Sequence, residues 1–238
     1  MSRRSVRTER RLFLADGPKA VQGALARGVV EEVFATEAAI EQYADVLGGA
    51  AVTPVEPRAI ELLSDSVSPA GLVAVCRFLD VGLAELPTPR LVAICADVRD
   101  PGNAGTVIRC ADAAGADAVV LAGDAVDLYN PKTIRASVGS AFHLPVVVER
   151  DPAVVLTWAR QAGLDVLAAD MDGESLFETD LSGPTAWLFG NEAWGLPDEL
   201  RAAADRVVSI PIYGRAESLN LSTAAAVCLY ASARSHRG

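Results

Sequence analysis

Residues 91–109 read LVAICADVRDPGNAGTVIR, an apolar run followed by a turn and the opening of a helix. The run Leu91-Val92-Ala93-Ile94-Cys95 is uniformly apolar, as a strand covered on both faces would be. Pro101, Gly102 and Asn103 force a turn, and a helix is expected over 104–114, stopped by Gly115. On that helix Val107, Ala111 and Ala114 share one stripe, whereas Arg109 lies about 200° round from Val107 and points away from the core.

Toward the C-terminus the rhythm repeats. Strands are expected at 118–121, 145–148, 165–168, 185–189 and 207–210, with helices near 131–138, 152–162, 197–204 and 220–234. Such alternation predicts an α/β domain over 91–238 with a mostly parallel sheet covered on both faces, its ligand bound at the carboxyl ends of the strands. Toward the N-terminus, Gly82, Pro87 and Pro89 mark a linker over 82–90. Residues 1–81 read as a smaller α/β unit. It has a helix opened by Asp16-Gly17-Pro18 and closed by Gly28, strands at 32–35 and 72–76, and helices at 37–47 and 57–63.

The 238 residues are about half apolar (51%), enough to bury a real core. No apolar run approaches the roughly 18 residues of a membrane span. The short stretch 12–15 is too brief for a secretion signal, so a cytoplasmic protein is expected. Cys76, Cys95, Cys110 and Cys228 are widely spaced in apolar surroundings, and only His143 and His236 offer nitrogen ligands. Buried reduced thiols are expected, and no metal. A formal net charge of −10 opposes RNA binding over the whole surface, so any RNA contact must be local. The candidate is the tail of residues 1–11, with Arg3, Arg4, Arg7, Arg10 and Arg11, although a flexible solubilising tail would look the same.

Two further clusters follow strands. In 188–197, Gly190 and Gly195 bracket Glu192 and Trp194, as a backbone in close approach to a ligand requires, or as a plain turn would. In 210–226, a strand ending in Pro211 gives way to a polar loop and then a helix of small residues, which Asn220 or Ser218 would cap.

In this order and spacing, Asn103, Gly105, Arg109 and Gly115, then Gly190, Glu192 and Gly195, then Ser218, Asn220 and Ser222 resemble the SpoU class, also called the TrmH class, of the SPOUT superfamily of RNA 2′-O-ribose methyltransferases. The resemblance covers residues 91–238 and includes a middle segment of Asn130-Pro131-Lys132, Arg135-Ala136-Ser137 and Gly139-Ser140. More loosely, residues 13–76 are similar to the substrate-binding domain that many members carry ahead of the catalytic domain.

The resemblance implies a C-terminal segment threaded into a trefoil knot, a path the physics of sequence would not propose because knots are rare. It implies S-adenosylmethionine held by the backbone around Leu188, Gly190, Asn191, Ile210, Ile212, Leu219 and Asn220, with Ala168 and Asp170 lining the pocket and Glu192, Gly195 and Ser218 beside it. It implies an RNA substrate, ribosomal rather than transfer RNA, contacted also by Lys132 and Arg135. It further implies a homodimer whose sites are completed by the partner. The face Leu221, Ala225, Cys228 and Leu229 suits that interface, or equally the core.

Arg109 matches the family's proposed base, an awkward role for a guanidinium whose pKa lies above about 12. It either binds a phosphate and orients the ribose hydroxyl, or accepts the proton late. Glu192 would hold Arg109 by a charge-assisted bond, and Asn103, Ser218 and Asn220 would complete the catalytic group. Two rival classes remain open. A dinucleotide-dependent oxidoreductase should carry G-x-G-x-x-G after the first strand, and the chain has none. A non-catalytic RNA-binding or ribosome-assembly protein on the same fold need not bind the cofactor.

Overall fold

The computed structural model describes residues 3–237. The N-terminal unit comprises α1 (Arg4–Arg10), β1 (Leu12–Asp16), α2 (Pro18–Arg27), β2 (Val30–Ala35), α3 (Glu37–Gln42), α4 (Ala44–Leu47), β3 (Thr53–Pro54), α5 (Pro57–Leu63) and β4 (Leu72–Arg77). Its sheet runs β1-β4-β2-β3, with β4 antiparallel to both β1 and β2. The helix α2 starts on Pro18 and ends where Gly28 takes φ +70°, the left-handed stop expected of that residue. The helix expected at 37–47 is broken in two at Tyr43. The apolar stretch 12–15, read above only as too short for a signal, is a buried strand.

The C-terminal unit follows the expected rhythm. It comprises β5 (Leu91–Ala96), α6 (Pro101–Ala114), β6 (Ala118–Ala122), α7 (Pro131–Ser137), β7 (Val146–Glu149), α8 (Pro152–Gln161), β8 (Asp165–Ser175), β9 (Thr185–Phe189), α9 (Asp198–Ala202), β10 (Arg206–Ser209) and α10 (Leu221–Arg237). All six strands are parallel, in the order β10-β8-β9-β5-β6-β7. The central strand β5 is buried throughout, and its alternate residues feed two cores. Leu91, Ala93 and Cys95 face the side of α6 and α10, while Val92, Ile94 and Ala96 face Val155, Leu156 and Ala159 of α8. Gly105 lets α6 lie against α7, because a Cβ there would sit 2.4 Å from the Thr133 carbonyl oxygen.

The strand β8 does not end at 168 as expected. Ala168 pairs with Val207, but the next pair is Glu174 with Val208, so residues 169–173 loop out of the sheet and the strand then resumes. After β10 the chain crosses back through residues 210–220 to α10, which packs on α6, β9 and β5 in the middle of the sheet. The threading that the resemblance implies fits this path.

On α10, Ala225, Cys228 and Leu229 are fully buried in the chain's own core, and Trp187 Nε1 donates to Ser232 Oγ at 2.9 Å. These three residues of the apolar face, offered above as a dimer surface or a core stripe, are therefore core. Burial pushes the thiols of Cys76, Cys95 and Cys228 up to about 12, which keeps them protonated and unreactive.

The two units share one apolar core. Phe13 of β1 meets Tyr129 at 4.7 Å and Phe142 at 6.1 Å between ring centroids. The Tyr129 hydroxyl accepts from the amides of Leu79 and Asp80 at 2.7 and 2.8 Å and donates to the Asp80 carboxylate, so burial and that carboxylate push the phenol up. Arg7 closes the seam. Its guanidinium donates to Asp127 Oδ2 at 2.5 and 3.1 Å, and the residue is only 3% exposed. Arg7 is thus removed from the expected RNA-binding set, because a buried, carboxylate-bound guanidinium cannot reach a phosphate in solvent. Arg135 turns partly the same way, 3.5 Å from Asp16.

Candidate active site

Three loops meet at the carboxyl edge of the central strands. The first begins at Asp97, which adopts φ +53°, and leads into α6. There Asp100 caps the helix by accepting from the Asn103 amide at 2.8 Å. Burial pushes the Asp100 carboxyl up, but the Asn103 amide and the Lys132 ammonium, 3.2 Å away, together hold it below the usual carboxylate range. Lys132, expected to contact RNA, is therefore engaged here as well.

The second loop is closed on itself. Asn191 and Gly195 exchange backbone hydrogen bonds of 2.8 and 2.9 Å, and the Asn191 side chain donates to the Asp97 carbonyl at 2.7 Å. Gly190 has no alternative, since a Cβ there would stand 2.3 Å from the Gly195 carbonyl carbon. Glu192 projects from this turn onto the first loop. It accepts from the amides of Arg99 and Asp100 at 3.1 and 3.0 Å and from Asn103 Nδ2 at 3.1 Å.

The third loop joins through Asn220. Its Nδ2 donates to Asn103 Oδ1 at 3.1 Å, while its Oδ1 caps α10 by accepting from Ser222 N at 2.9 Å and Ser222 Oγ at 2.7 Å. Glu192, Asn103 and Asn220, one from each motif, thus form a continuous relay. The cap is Asn220 rather than Ser218.

The expected bond between Glu192 and Arg109 is not formed. Glu192 is committed to the start of α6, whereas Arg109 sits six residues beyond Asn103, about 9 Å along the axis and about 240° round. Arg109 is exposed, with no ionic or hydrogen-bond partner among the described residues. Asn103, with both ends of its amide engaged, holds the loops together. Replacing Glu192 with Gln leaves the amide donors facing a neutral group with one acceptor oxygen. Loss of charge-assisted bonds worth about 1.5–3 kcal/mol is expected to weaken cofactor binding roughly 10- to 100-fold in calorimetry.

Of the expected cofactor residues, Gly190, Asn191, Glu192, Gly195 and Asn220 belong to the tied loops themselves. Ala168 and Leu188 are buried at the strand ends, and Ile212, Ser218, Leu219 and Asn220 are exposed on the third loop. Asp170, in the looped-out segment, is 3.7 Å from Arg201. Among the described residues, the backbone of residues 211–219 makes no hydrogen bond, and Ile212 and Leu219 are 39% and 37% exposed. Free amides and carbonyls beside apolar side chains fit the edge and face of an adenine, so the residues present suit S-adenosylmethionine. Sequence reasoning missed Arg99, which pairs with Asp124 at 2.9 Å and lies 5.4 Å over the exposed Trp194 ring. Nothing in the linear pattern distinguishes that arginine from a solvated one.

A parallel α/β sheet with three loops tied together at its carboxyl edge, one carrying unpaired backbone beside an apolar ledge, has the construction of an S-adenosylmethionine-dependent methyltransferase of the SPOUT type. The chain belongs to the SpoU rRNA Methylase family, whose model matches residues 90–230, and residues 1–74 match the MRM3-like substrate binding domain. It is 35% identical over 226 residues to the 23S rRNA (guanosine(2553)-2′-O)-methyltransferase RlmP of Bacillus subtilis, covering 94% of this chain and 89% of that protein. Its fold matches the SpoU methyltransferase AviRb of Streptomyces viridochromogenes with a TM-score of 0.88 at 32% identity, over 99% of this chain and 93% of the other. An AdoMet-bound rRNA methyltransferase from Sinorhizobium meliloti matches with a TM-score of 0.86 at 34% identity, over 98% and 91% of the two chains. The family is one of S-adenosylmethionine-dependent RNA 2′-O-methyltransferases, and the oxidoreductase reading is set aside.

Proposed function

We propose that this chain methylates a ribose 2′-hydroxyl of 23S ribosomal RNA. The observation that carries the reading is the Glu192-Asn103-Asn220 relay, which joins the three signature motifs into one site. The similarity to RlmP supports ribosomal RNA over transfer RNA as the substrate. Bound S-adenosylmethionine supplies an electrophilic methyl on a sulfonium, a good leaving group. What the chain must add is alignment of the ribose oxygen with that methyl, and a path for the hydroxyl proton.

Glu192, Asn103 and Asn220 fix the loops that hold the cofactor and ribose. Arg109 orients the hydroxyl through the neighbouring phosphate, or takes its proton late. Because Arg109 points away from its own chain's relay, we assign it to the site of a second copy in a homodimer. The exposed Tyr213 and Tyr230 suit such an association. A cytoplasmic location, the knotted threading and the division of the chain at 82–90 belong to the same reading. None of the described helices is long and apolar enough to cross a membrane.

The test is transfer of radiolabelled methyl to unmodified 23S ribosomal RNA and, separately, to transfer RNA, with ribose-methylation mapping. Label mapped to a 2′-oxygen of the ribosomal RNA is expected. Label on transfer RNA alone would overturn the substrate, and failure to bind the cofactor would favour a non-catalytic scaffold.

A further inference from the structure

Outside the methyl-transfer site, the N-terminal unit carries a depression lined by Arg10, Arg11, Leu12, Glu31, Arg77 and Phe78. In a chain of net charge −10 it gathers three guanidiniums. Glu31 pairs with Arg77 at 2.9 Å, with both side chains half exposed, and Arg11 lies a loose 3.9 Å from Asp80. Arg10 has no ionic partner among the described residues. The surface therefore keeps a local positive excess where an anion can reach it.

The geometry is built rather than incidental. The helix α1 is not a loose tail, because Arg7 pins it to Asp127. At its end Arg11 takes φ +54°, a conformation usually left to glycine, and its carbonyl accepts from the Phe78 amide at 3.1 Å. That turn sets the Arg11 guanidinium 4.6 Å above the Phe78 ring, whose other face is stacked on Tyr129 at 3.7 Å. Phe78 thus lies between Tyr129 and the Arg11 guanidinium, and the Arg11 side chain is 64% exposed.

A guanidinium placed over an aromatic ring and open to solvent can serve as a platform for an unstacked nucleobase, and two further guanidiniums beside it suit the attached phosphate. We propose that this depression binds a single-stranded nucleotide of the RNA substrate, its base stacked on Arg11 and its phosphate held by Arg10 and Arg77. The inference rests on the RNA substrate proposed above and adds a second point of attachment, on residues the relay does not use. A duplex would not fit, because its bases are already stacked and offer the platform no face.

The test measures RNA binding directly, so that it stands apart from methyl transfer. The full chain is titrated, by fluorescence anisotropy and over a range of salt, with a labelled single-stranded oligoribonucleotide and with the same sequence as a duplex. Arg11→Lys keeps the charge and removes the plane. It is expected to weaken single-strand binding roughly 5- to 100-fold with an unchanged salt slope. Arg77→Gln is expected to lower that slope by about one. Glu31→Gln removes the anion beside Arg77, which stays placed by its 2.9 Å bond to the Gly28 carbonyl, and is expected to tighten binding, a gain that misfolding cannot mimic.

Wild-type affinity and slope in Arg11→Lys and Arg77→Gln would overturn the proposal, as would equal binding of the duplex. Methyl transfer to RNA that persists beside such a result would leave the enzymatic reading intact. Conversely, loss of binding in Arg11→Lys with no methyl transfer by the wild type would remove that reading and keep this one.

Discussion

Arg109→Ala is expected to reduce methyl transfer by about 10²–10³-fold, the range seen when one positioned donor is removed from a reacting centre, while cofactor affinity stays as in the wild type. The physical ground is the position of the residue. It is exposed on α6, makes no contact with its own chain's relay, and so contributes nothing to the loops that shape the cofactor crevice. Arg109→Lys separates its possible roles. A planar forked donor is lost while a charge is kept, so a deficit nearly as large as that of Ala indicates bidentate orientation of a phosphate. Full turnover in the Lys variant would exclude it.

Gly190→Ala is expected to abolish cofactor binding and to lower stability by about 1–3 kcal/mol, the usual cost of forcing an extra carbon into a filled space. The added methyl would lie 2.3 Å from the Gly195 carbonyl carbon, and the obstacle is backbone, which cannot swing aside as a side chain would. Calorimetry with S-adenosylmethionine and thermal melting check the two effects separately. Retained affinity would mean that the turn opens without disturbing the crevice. The two variants also test the homodimer together. If Arg109 serves the partner's site, a heterodimer of the Arg109→Ala and Gly190→Ala chains has one intact site and recovers activity. If Arg109 acts within its own chain, the mixture stays inactive.

Much of the catalytic unit was legible because its strands are buried on both faces. The runs at 91–95, 118–121 and 185–189 carry no polar residue but Thr185, and such runs between turn signals have few other interpretations. The stop of α6 could be read at Gly115, a glycine at the left-handed end, but its start could not, because Pro101, Gly102 and Asn103 read as a turn whereas Asp100 caps the helix and Pro101 opens it. The elements that escaped are those whose stability is not local. β1 is five residues long and forms because β4 lies beside it, β3 is a two-residue pairing with β2, and β8 continues past its excursion because β10 supplies partners for Glu174 and Ser175. The helix α1 has no capping side chain and is tied to the catalytic unit by the Arg7–Asp127 pair, whose members stand 120 positions apart.

The same division runs through the site. The sequence by itself determined which residue types stand at the carboxyl ends of the strands, and hence the family, since glycines beside a carboxylate and an asparagine at fixed spacing are a property of the chain's order. Only the tertiary structure decided what those groups do to one another. Glu192 binds the start of α6 and not Arg109, Asn220 caps α10 while reaching Asn103, and the arginines near the N-terminus divide into a buried seam at Arg7 and a solvent-facing platform at Arg11. Charge and spacing cannot make that distinction. A guanidinium's role depends on what lies within about 4 Å of it, and those neighbours come from strands and helices distant in sequence.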